Sequence, residues 1–256
     1  TCGRALRAAP PRHDPRNEHV ALAAGERGAL ARARRAMQAA LGWAPGRDPQ
    51  AERIDALGLD VVHYPATDLP ELALRTPAVL TFFDMQEEFL PAFFGWRARR
   101  ARKAAHRAAV RKAAQVIVPS RFTAQCLRER YGTPDAKIQH VPVGVSEASA
   151  PAGAPGEADR LRQRHGIGGD FALYPANPRP HKNHPRLFAA QRALSEQGLA
   201  IPLVCTGRLL GEARSAASLA AEAGVPCGLV FDLGYVESAD LPALYRAARA
   251  VVFPSL

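Results

Sequence analysis

Short apolar runs alternate with helical segments along this chain, from about Leu59 to its last residues. The runs, such as 115–118 and 201–206, span four to six residues and are apolar almost throughout instead of alternating with polar residues. Strands of this kind are typical of parallel sheets that helices cover on both faces. The pattern therefore predicts an α/β fold with doubly wound parallel sheets.

The alternation comes in two series, separated by a segment without period. Residues 146–159 are small and rich in Pro and Gly, which is the profile of a linker. We therefore predict a first Rossmann-like domain over 1–145, a linker over 146–159 and a second domain over 160–256. Two such domains would enclose a cleft, and ligands of open α/β sheets bind beyond the carboxyl ends of the strands.

Individual elements follow from the same pattern and from local stop signals. Ser120 is a helix N-cap, and Gly132 with Pro134 ends that helix. The predicted strands are 59–64, 78–83, 115–118, 137–141, 171–175, 201–206, 229–233 and 250–253. The predicted helices are 28–41, 97–114, 121–131, one starting near 183–185, 212–223 and 240–249.

Composition excludes several classes of protein. Hydrophobic residues make up 47% of the 256 residues and charged residues 23%, which excludes a disordered chain. No apolar run approaches the roughly 20 residues of a membrane-spanning helix. The four cysteines are spread out, without metal-ligand spacing, which favours reduced thiols in a reducing, cytoplasmic compartment.

The net charge of +10 lies mostly in residues 1–150 and raises nucleic-acid binding as an alternative function. Aromatic residues make up only 7% of the chain, and no nucleic-acid-binding module is present. We therefore expect no nucleic-acid partner.

The loop 174–185, with the sequence YPANPRPHKNHP, joins the first strand of the second series to its first helix. Its prolines keep it out of helix, and Asn183 is expected to cap the helix that follows. Arg179 and Lys182 then lie at a helix N-terminus, where free N–H groups and the helix dipole favour anions. The loop predicts a pyrophosphate site, with a proline-rich turn carrying solvated charges as the alternative.

Four segments, in the same order, resemble the retaining glycosyltransferases of family 4, which have the GT-B fold. The resemblance covers roughly residues 55–256. The string NPRPHKNH at 177–184 is similar to the family's donor-phosphate loop, and FDMQEEFLPAFF at 83–94 is similar to a first-domain segment. VPSRFT at 118–123 and the stretch 233–255 complete the match.

The resemblance implies a donor site for a nucleotide-diphosphate sugar, GDP- or UDP-linked, in the second domain. It implies that Lys182 binds phosphate and that Gly207 lies close to the donor. Tyr235 and Val236 would lie beside the base, although Tyr235 is alternatively a core aromatic. Asn177 occupies the place where the family often has an arginine, and Arg179 is expected to supply that guanidinium.

The resemblance also implies transfer of a hexosyl group, with retained configuration, to a hydroxyl of a glycan or lipid-linked acceptor in polysaccharide biosynthesis. Neither a bound metal nor another cofactor is implied. Phe83 replaces a histidine of the family, so Asp84 or His63 is expected to take its catalytic place. A non-catalytic GT-B relative is the alternative. The family's paired glutamates fall beyond Leu256, so we expect this 256-residue stretch alone to be inactive.

The segment 97–112 carries eight Arg and Lys residues and no acid. Alanines such as Ala98, Ala101 and Ala105 lie roughly on one helical face. One interpretation is peripheral contact with an anionic inner-membrane face, at about 1 kcal/mol per well-placed cation. The alternative, a solvated helix packed on the sheet by its alanines, is favoured because the face lacks Leu, Phe and Trp.

Overall fold

Both series of strands form parallel sheets in a computed structural model of the chain, which describes residues 48–144, 156–209, 214–237 and 240–256. The predicted helix 28–41 lies outside the described residues. The chain divides into two compact units, Thr1–Val143 and Gly144–Leu256.

The first unit contains a sheet of four parallel strands in the order β1-β2-β3-β4. The strands are β1 Val62–Tyr64, β2 Ala78–Thr81, β3 Gln115–Val118 and β4 Ile138–His140. The helices are α1 Pro49–Asp55, α2 Gln86–Phe89, α3 Trp96–Lys112 and α4 Arg121–Tyr131. As predicted, the Ser120 hydroxyl accepts from the main-chain N–H of Thr123, and Gly132 ends α4 with a φ of 63°.

The core of the first unit packs beneath this sheet, with Leu80, Phe82, Val116, Val118 and Leu127 fully buried. The basic helix α3 buries His106, Ala109 and Val110. Ala109 is part of the predicted alanine face, and Ala101 and Ala105 on that face are half-buried. Ala98 is exposed. The His106 side chain points inward because it bonds to a buried carboxylate, which is described below.

The second unit contains a parallel sheet in the order β7-β6-β5-β8. The strands are β5 Ala172–Pro175, β6 Leu203–Thr206, β7 Val230–Asp232 and β8 Ala250–Val251. The helices are α5 Glu157–His165, α6 His184–Glu196, α7 Ala216–Glu222 and α8 Leu241–Ala247. Core residues, among them Phe171, Leu173, Tyr174, Phe188 and Val204, lie on both faces of this sheet.

The predicted linker 146–159 is too long at its carboxyl end. Helix α5 begins at Glu157, where Gly156 with a φ of 71° allows the chain to turn into it. Leu161 then anchors this helix in the core. Residues 145–155 lie outside the described ones.

Candidate functional site

A cavity of about 300 Å³ lies beyond the carboxyl ends of β5, β6 and β7. Residues at the end of each strand, or directly after it, line the cavity. The lining includes Ala176, Thr206, Gly207, Asp232 and Gly234. This is the edge of a parallel sheet where ligands of open α/β folds bind.

Hydrogen bonds join the three loops around the cavity. The Gly207 N–H donates to the Gly234 carbonyl at 2.7 Å, which joins the loop after β6 to the loop after β7. The Arg208 N–H donates to Asn177 Oδ1 at 2.7 Å, which joins the loop after β6 to the loop after β5. The rim is therefore held by contacts between loops that are distant in sequence.

Gly207 is closely approached by the chain's own backbone, and its nearness to the donor stays a prediction. A Cβ at this position would lie 2.6 Å from the Ala176 carbonyl oxygen and 2.8 Å from Asn177 Cα. Those distances are too short for any side chain, so the loops after β5 and β6 can meet only at a glycine.

Asp232, at the end of β7, is a cavity residue that the sequence analysis missed. Its carboxylate accepts from the N–H groups of Gly234 and Ala217, both at 3.0 Å, and so joins the loop after β7 to the start of α7. Burial, with the nearby Asp232 charge, raises the pKa of the Cys205 thiol to about 12. The thiol stays protonated at neutral pH. An acid directly after an apolar strand was the sequence signal for Asp232.

The loop before α6 is a 3-10 turn, Pro180–Lys182, followed by Asn183 with a φ of 62°. The predicted Asn183 cap is wrong. Its side chain makes no capping bond and instead donates from Nδ2 to the Pro254 carbonyl at 3.0 Å. In the part of the chain that the structure describes, no side chain accepts from the first N–H groups of this 13-residue helix, so its N-terminus keeps its positive partial charge.

Buried aromatic residues hold this loop from beneath. The Tyr174 hydroxyl donates to the Lys182 carbonyl, and the Tyr174 ring lies 4.6 Å from the fully buried His184 ring. Burial lowers the pKa of His184, so its ring is neutral at pH 7. The Leu256 N–H donates to the His181 carbonyl at 3.0 Å from the other side.

Three cations lie on the loops that follow β5 and β6. Arg179 and Lys182 lie on the turn before α6, and neither makes an ion pair with a carboxylate of the described residues. The Arg208 guanidinium lies 4.5 Å from the centroid of the Tyr235 ring. Tyr235 is 52% exposed, so the alternative of a core aromatic is wrong. The Val236 side chain packs against the core.

A family model shows which family the chain belongs to, through the first part of the sequence. The model, described as Glycosyltransferase Family 4, matches residues 8–149, more than half of the chain.

The chain belongs to glycosyltransferase family 4.

Individual relatives agree with this family. O-antigen chain mannosyltransferase B of Escherichia coli is 29% identical over 198 residues, which cover 76% of this chain and 51% of that protein. The chain therefore spans about half the length of the curated relative that it matches.

Two solved structures show the fold. Anabaena Alr3699/HepE in complex with UDP-glucose has a TM-score of 0.61 at 20% identity, over 81% of this chain and 57% of that one. A glycosyltransferase from Rickettsia africae has a TM-score of 0.57 at 14% identity, over 93% of this chain and 59% of that one. These likenesses confirm the predicted α/β fold of the GT-B type.

The first unit of this family 4 chain holds the two predicted catalytic residues on neighbouring strands. His63, in β1, lies with Nε2 2.8 Å from the Thr81 hydroxyl of β2, and partial burial lowers its pKa. Asp84 follows β2, is exposed, and accepts from the Gln86 N–H at 3.4 Å. Each side chain thus has its own partner, and no hydrogen bond joins the two.

A buried polar cluster, which the sequence analysis missed, lies directly after Asp84. Glu87 is completely buried and accepts from His106 Nδ1 at 2.7 Å, with the Arg102 Nε at 3.5 Å. Burial acts to raise the pKa of Glu87, but the hydrogen bond and charge of His106, with the charge of Arg102, outweigh it and lower that pKa. The Glu88 carboxylate pairs with Lys103 at 2.6 Å. Part of the basic helix α3 therefore binds the acidic segment that follows Asp84.

Within the described ranges, no group of three or more His, Cys, Asp or Glu residues is placed to hold a metal ion. Nor is any helix there long and apolar enough to cross a membrane. Of the cysteines there, Cys126 and Cys205 are buried and Cys227 is exposed, all three as free thiols.

Proposed function

We propose that the protein transfers a hexosyl group, with retained configuration, from a GDP- or UDP-linked sugar to a hydroxyl of a glycan or lipid-linked acceptor. The observation that carries this proposal is the uncapped N-terminus of α6, with Lys182 and Arg179 on the turn that leads into it. That turn follows β5, at the edge of the sheet where the cavity lies.

A diphosphate suits this place for electrostatic reasons. The helix N-terminus offers N–H groups and the positive end of a dipole. Lys182 and Arg179 add two charges that no described carboxylate neutralises. Asn177, Gly207 and Tyr235 are proposed to shape the donor site through the rim contacts, and Val236 is proposed to act through its backbone.

The proposed reaction breaks the bond between the anomeric carbon and the donor diphosphate and forms a bond to the acceptor oxygen. Negative charge grows on the leaving diphosphate, and preorganised cations and N–H groups stabilise it. We propose that Asp84 or His63 handles the proton that the acceptor hydroxyl loses. No step of this scheme needs a bound metal or another cofactor.

The relatives support this class of donor. One carries the name of a mannosyltransferase of O-antigen chains, and the Anabaena protein was crystallised with UDP-glucose. The name of the mannosyltransferase supports a role in polysaccharide or lipopolysaccharide synthesis, which we propose to take place in the cytoplasm.

Calorimetric titration of the full-length protein with UDP-glucose and GDP-mannose tests which nucleotide sugar it binds. Incubation with the bound donor and glycan acceptors, followed by NMR of the anomeric proton, tests transfer and retention. Binding of neither nucleotide sugar, or a product of inverted configuration, would contradict the proposal.

We also propose peripheral contact between the first unit and an anionic membrane. The α3 helix begins with the aromatic residue Trp96, and two neighbouring helices carry partly exposed phenylalanines. Trp96 is 70% exposed and Phe122 is 63% exposed, and the Phe89 ring lies 5.4 Å from that of Phe122. Exposed aromatic rings beside arginines are typical of surfaces that bind at a lipid interface.

Co-sedimentation with liposomes tests this contact. We expect binding to vesicles of 30% anionic lipid, about tenfold weaker binding after Trp96→Ala with Phe122→Ala, and little binding to neutral vesicles. Equal binding to both kinds of vesicle would exclude the contact. Random-sequence DNA that competes with the vesicles would favour a nucleic-acid partner instead.

A further inference from the structure

We infer that Arg208 binds the donor diphosphate and that Asn177 and Tyr235 are positioning residues for it. This inference rests on the proposed function, because it concerns the same cavity. The expectation from the sequence was that Arg179 supplies the guanidinium there. The contacts around Arg208 favour a different residue, on a different loop.

The main chain of Arg208 is fixed at the rim of the cavity. Its N–H donates to Asn177 Oδ1 at 2.7 Å, and both of its neighbours, Gly207 and Leu209, line the cavity. Gly207 in turn packs against the backbone of Ala176 and donates to the Gly234 carbonyl. The main chain of Arg208 therefore lies where the loops after β5, β6 and β7 meet.

The Arg208 guanidinium contacts an aromatic ring and, among the described residues, pairs with no carboxylate. It lies 4.5 Å from the Tyr235 centroid, and no ion pair within the described residues includes it. Arg192 and Arg214, by contrast, pair with Glu196 and Glu222. A cation–π contact orients a guanidinium without neutralising its charge, which stays available to an anion.

The chemistry of the site favours an arginine at this place. A guanidinium offers a planar set of N–H donors that pairs with two phosphate oxygens at once, whereas an ammonium acts as a point charge. The loop 176–183 carries Lys182 near one end and Asn177, which holds Arg208, near the other. The two cations would then contact the diphosphate from both ends of this loop.

Asn177 acts through the main chain of Arg208 in this scheme. Its amide oxygen is the acceptor that fixes the Arg208 N–H, so its removal frees the loop after β6. Tyr235 acts through the guanidinium, since its ring lies against that group and orients it. Substitutions of Asn177 or Tyr235 are therefore expected to change diphosphate binding only while the Arg208 guanidinium is present.

Calorimetric titration with UDP, GDP and the corresponding nucleoside monophosphates tests the inference. Arg208→Ala is expected to weaken binding of the preferred nucleoside diphosphate at least about tenfold and binding of the monophosphate much less. Arg208→Lys should recover only part of the loss. The matched control, Arg192→Ala, removes an exposed arginine of the same unit and should change neither Kd.

A double-mutant cycle tests the positioning residues. Asn177→Ala alone should weaken diphosphate binding severalfold, but it should add nothing in the Arg208→Ala background, because coupled residues are not additive. Equal diphosphate affinity of Arg208→Ala and the unaltered protein would overturn the inference and leave the proposed function standing. If the unaltered protein binds no nucleoside diphosphate, both fail together.

Discussion

His106 Nδ1 lies 2.7 Å from Glu87 Oε1, and the Glu87 side chain is completely buried. The bond connects the middle of the basic helix α3 to the short helix α2, which follows Asp84. A polar side chain of this basic helix thus has its partner in the interior. The pair fixes the segment on which the proposed catalytic carboxylate lies.

Breaking this pair should destabilise the first unit. His106→Ala leaves the Glu87 carboxylate buried without its closest donor, and loss of one partner of a buried pair costs about 3 kcal/mol. Urea unfolding followed by circular dichroism measures the free energy of unfolding. Arg100→Ala, an exposed change on the same helix, is the control and should cost less than about 0.5 kcal/mol. Equal stability of the two variants would show that the pair contributes nothing.

Asp55 should make stability depend on pH in the acid range. Hydrogen bonds from the backbone and side chain of Thr76, with the Arg75 N–H, lower the pKa of Asp55 to about 2. Because the folded-state pKa is lowered, this contribution is complete above the ordinary carboxyl pKa of about 3.9 and is lost as the pH falls to about 2.

Urea midpoints of the unaltered protein and of Asp55→Asn, measured from pH 6 down to about pH 2, check this prediction. The difference between them should stay constant above about pH 5 and shrink below about pH 4. A difference that does not change with pH would mean that the Asp55 pKa is not lowered.

Gly207→Ala should disrupt the cavity. The added methyl group would lie 2.6 Å from the Ala176 carbonyl oxygen, so the loops after β5 and β6 must separate. We expect a loss of about 1–3 kcal/mol in stability and at least tenfold weaker binding of the nucleotide sugar. Gly168→Ala, whose Cβ would meet nothing within 4 Å, is the matched control. Unchanged donor affinity in Gly207→Ala would show that the close contact between Gly207 and Ala176 is not needed for donor binding.

Removal of divalent metal should leave the proposed transfer unchanged. We propose that Lys182, arginines of the loops after β5 and β6, and the α6 N-terminus stabilise the leaving diphosphate, so charge stabilisation requires no bound cation. The initial rate of sugar transfer in excess EDTA, compared with the rate in added Mg²⁺ or Mn²⁺, measures this directly. A rate that EDTA abolishes and Mn²⁺ restores would contradict the assignment.

Elements governed by local signals could be predicted from the sequence. Strand β3 has the predicted bounds, and α4 begins after Ser120 and ends at Gly132 as expected, because a hydroxyl cap and a glycine act within a few residues. The parallel arrangement followed from the apolar character of the strands.

Features that depend on contacts distant in sequence could not be predicted. Asn183 makes no capping bond, and its Nδ2 instead donates to the carbonyl of Pro254, 71 residues away. The sequence does not indicate a role for Arg208, because Tyr235 and Asn177 contact it only in the folded protein. The burial of His106 on α3 was not predicted for the same reason, since its partner Glu87 lies 19 residues away in the sequence.

The account depends most on Lys182 as a ligand of the donor diphosphate. The direct measurement is the Kd of Lys182→Ala for UDP-glucose and GDP-mannose, beside Lys112→Ala as a control in the other unit. We predict that the Lys182 variant binds the preferred donor at least about tenfold more weakly, while the control binds it as the unaltered protein does. Equal affinities of the Lys182 variant and the unaltered protein would contradict the account.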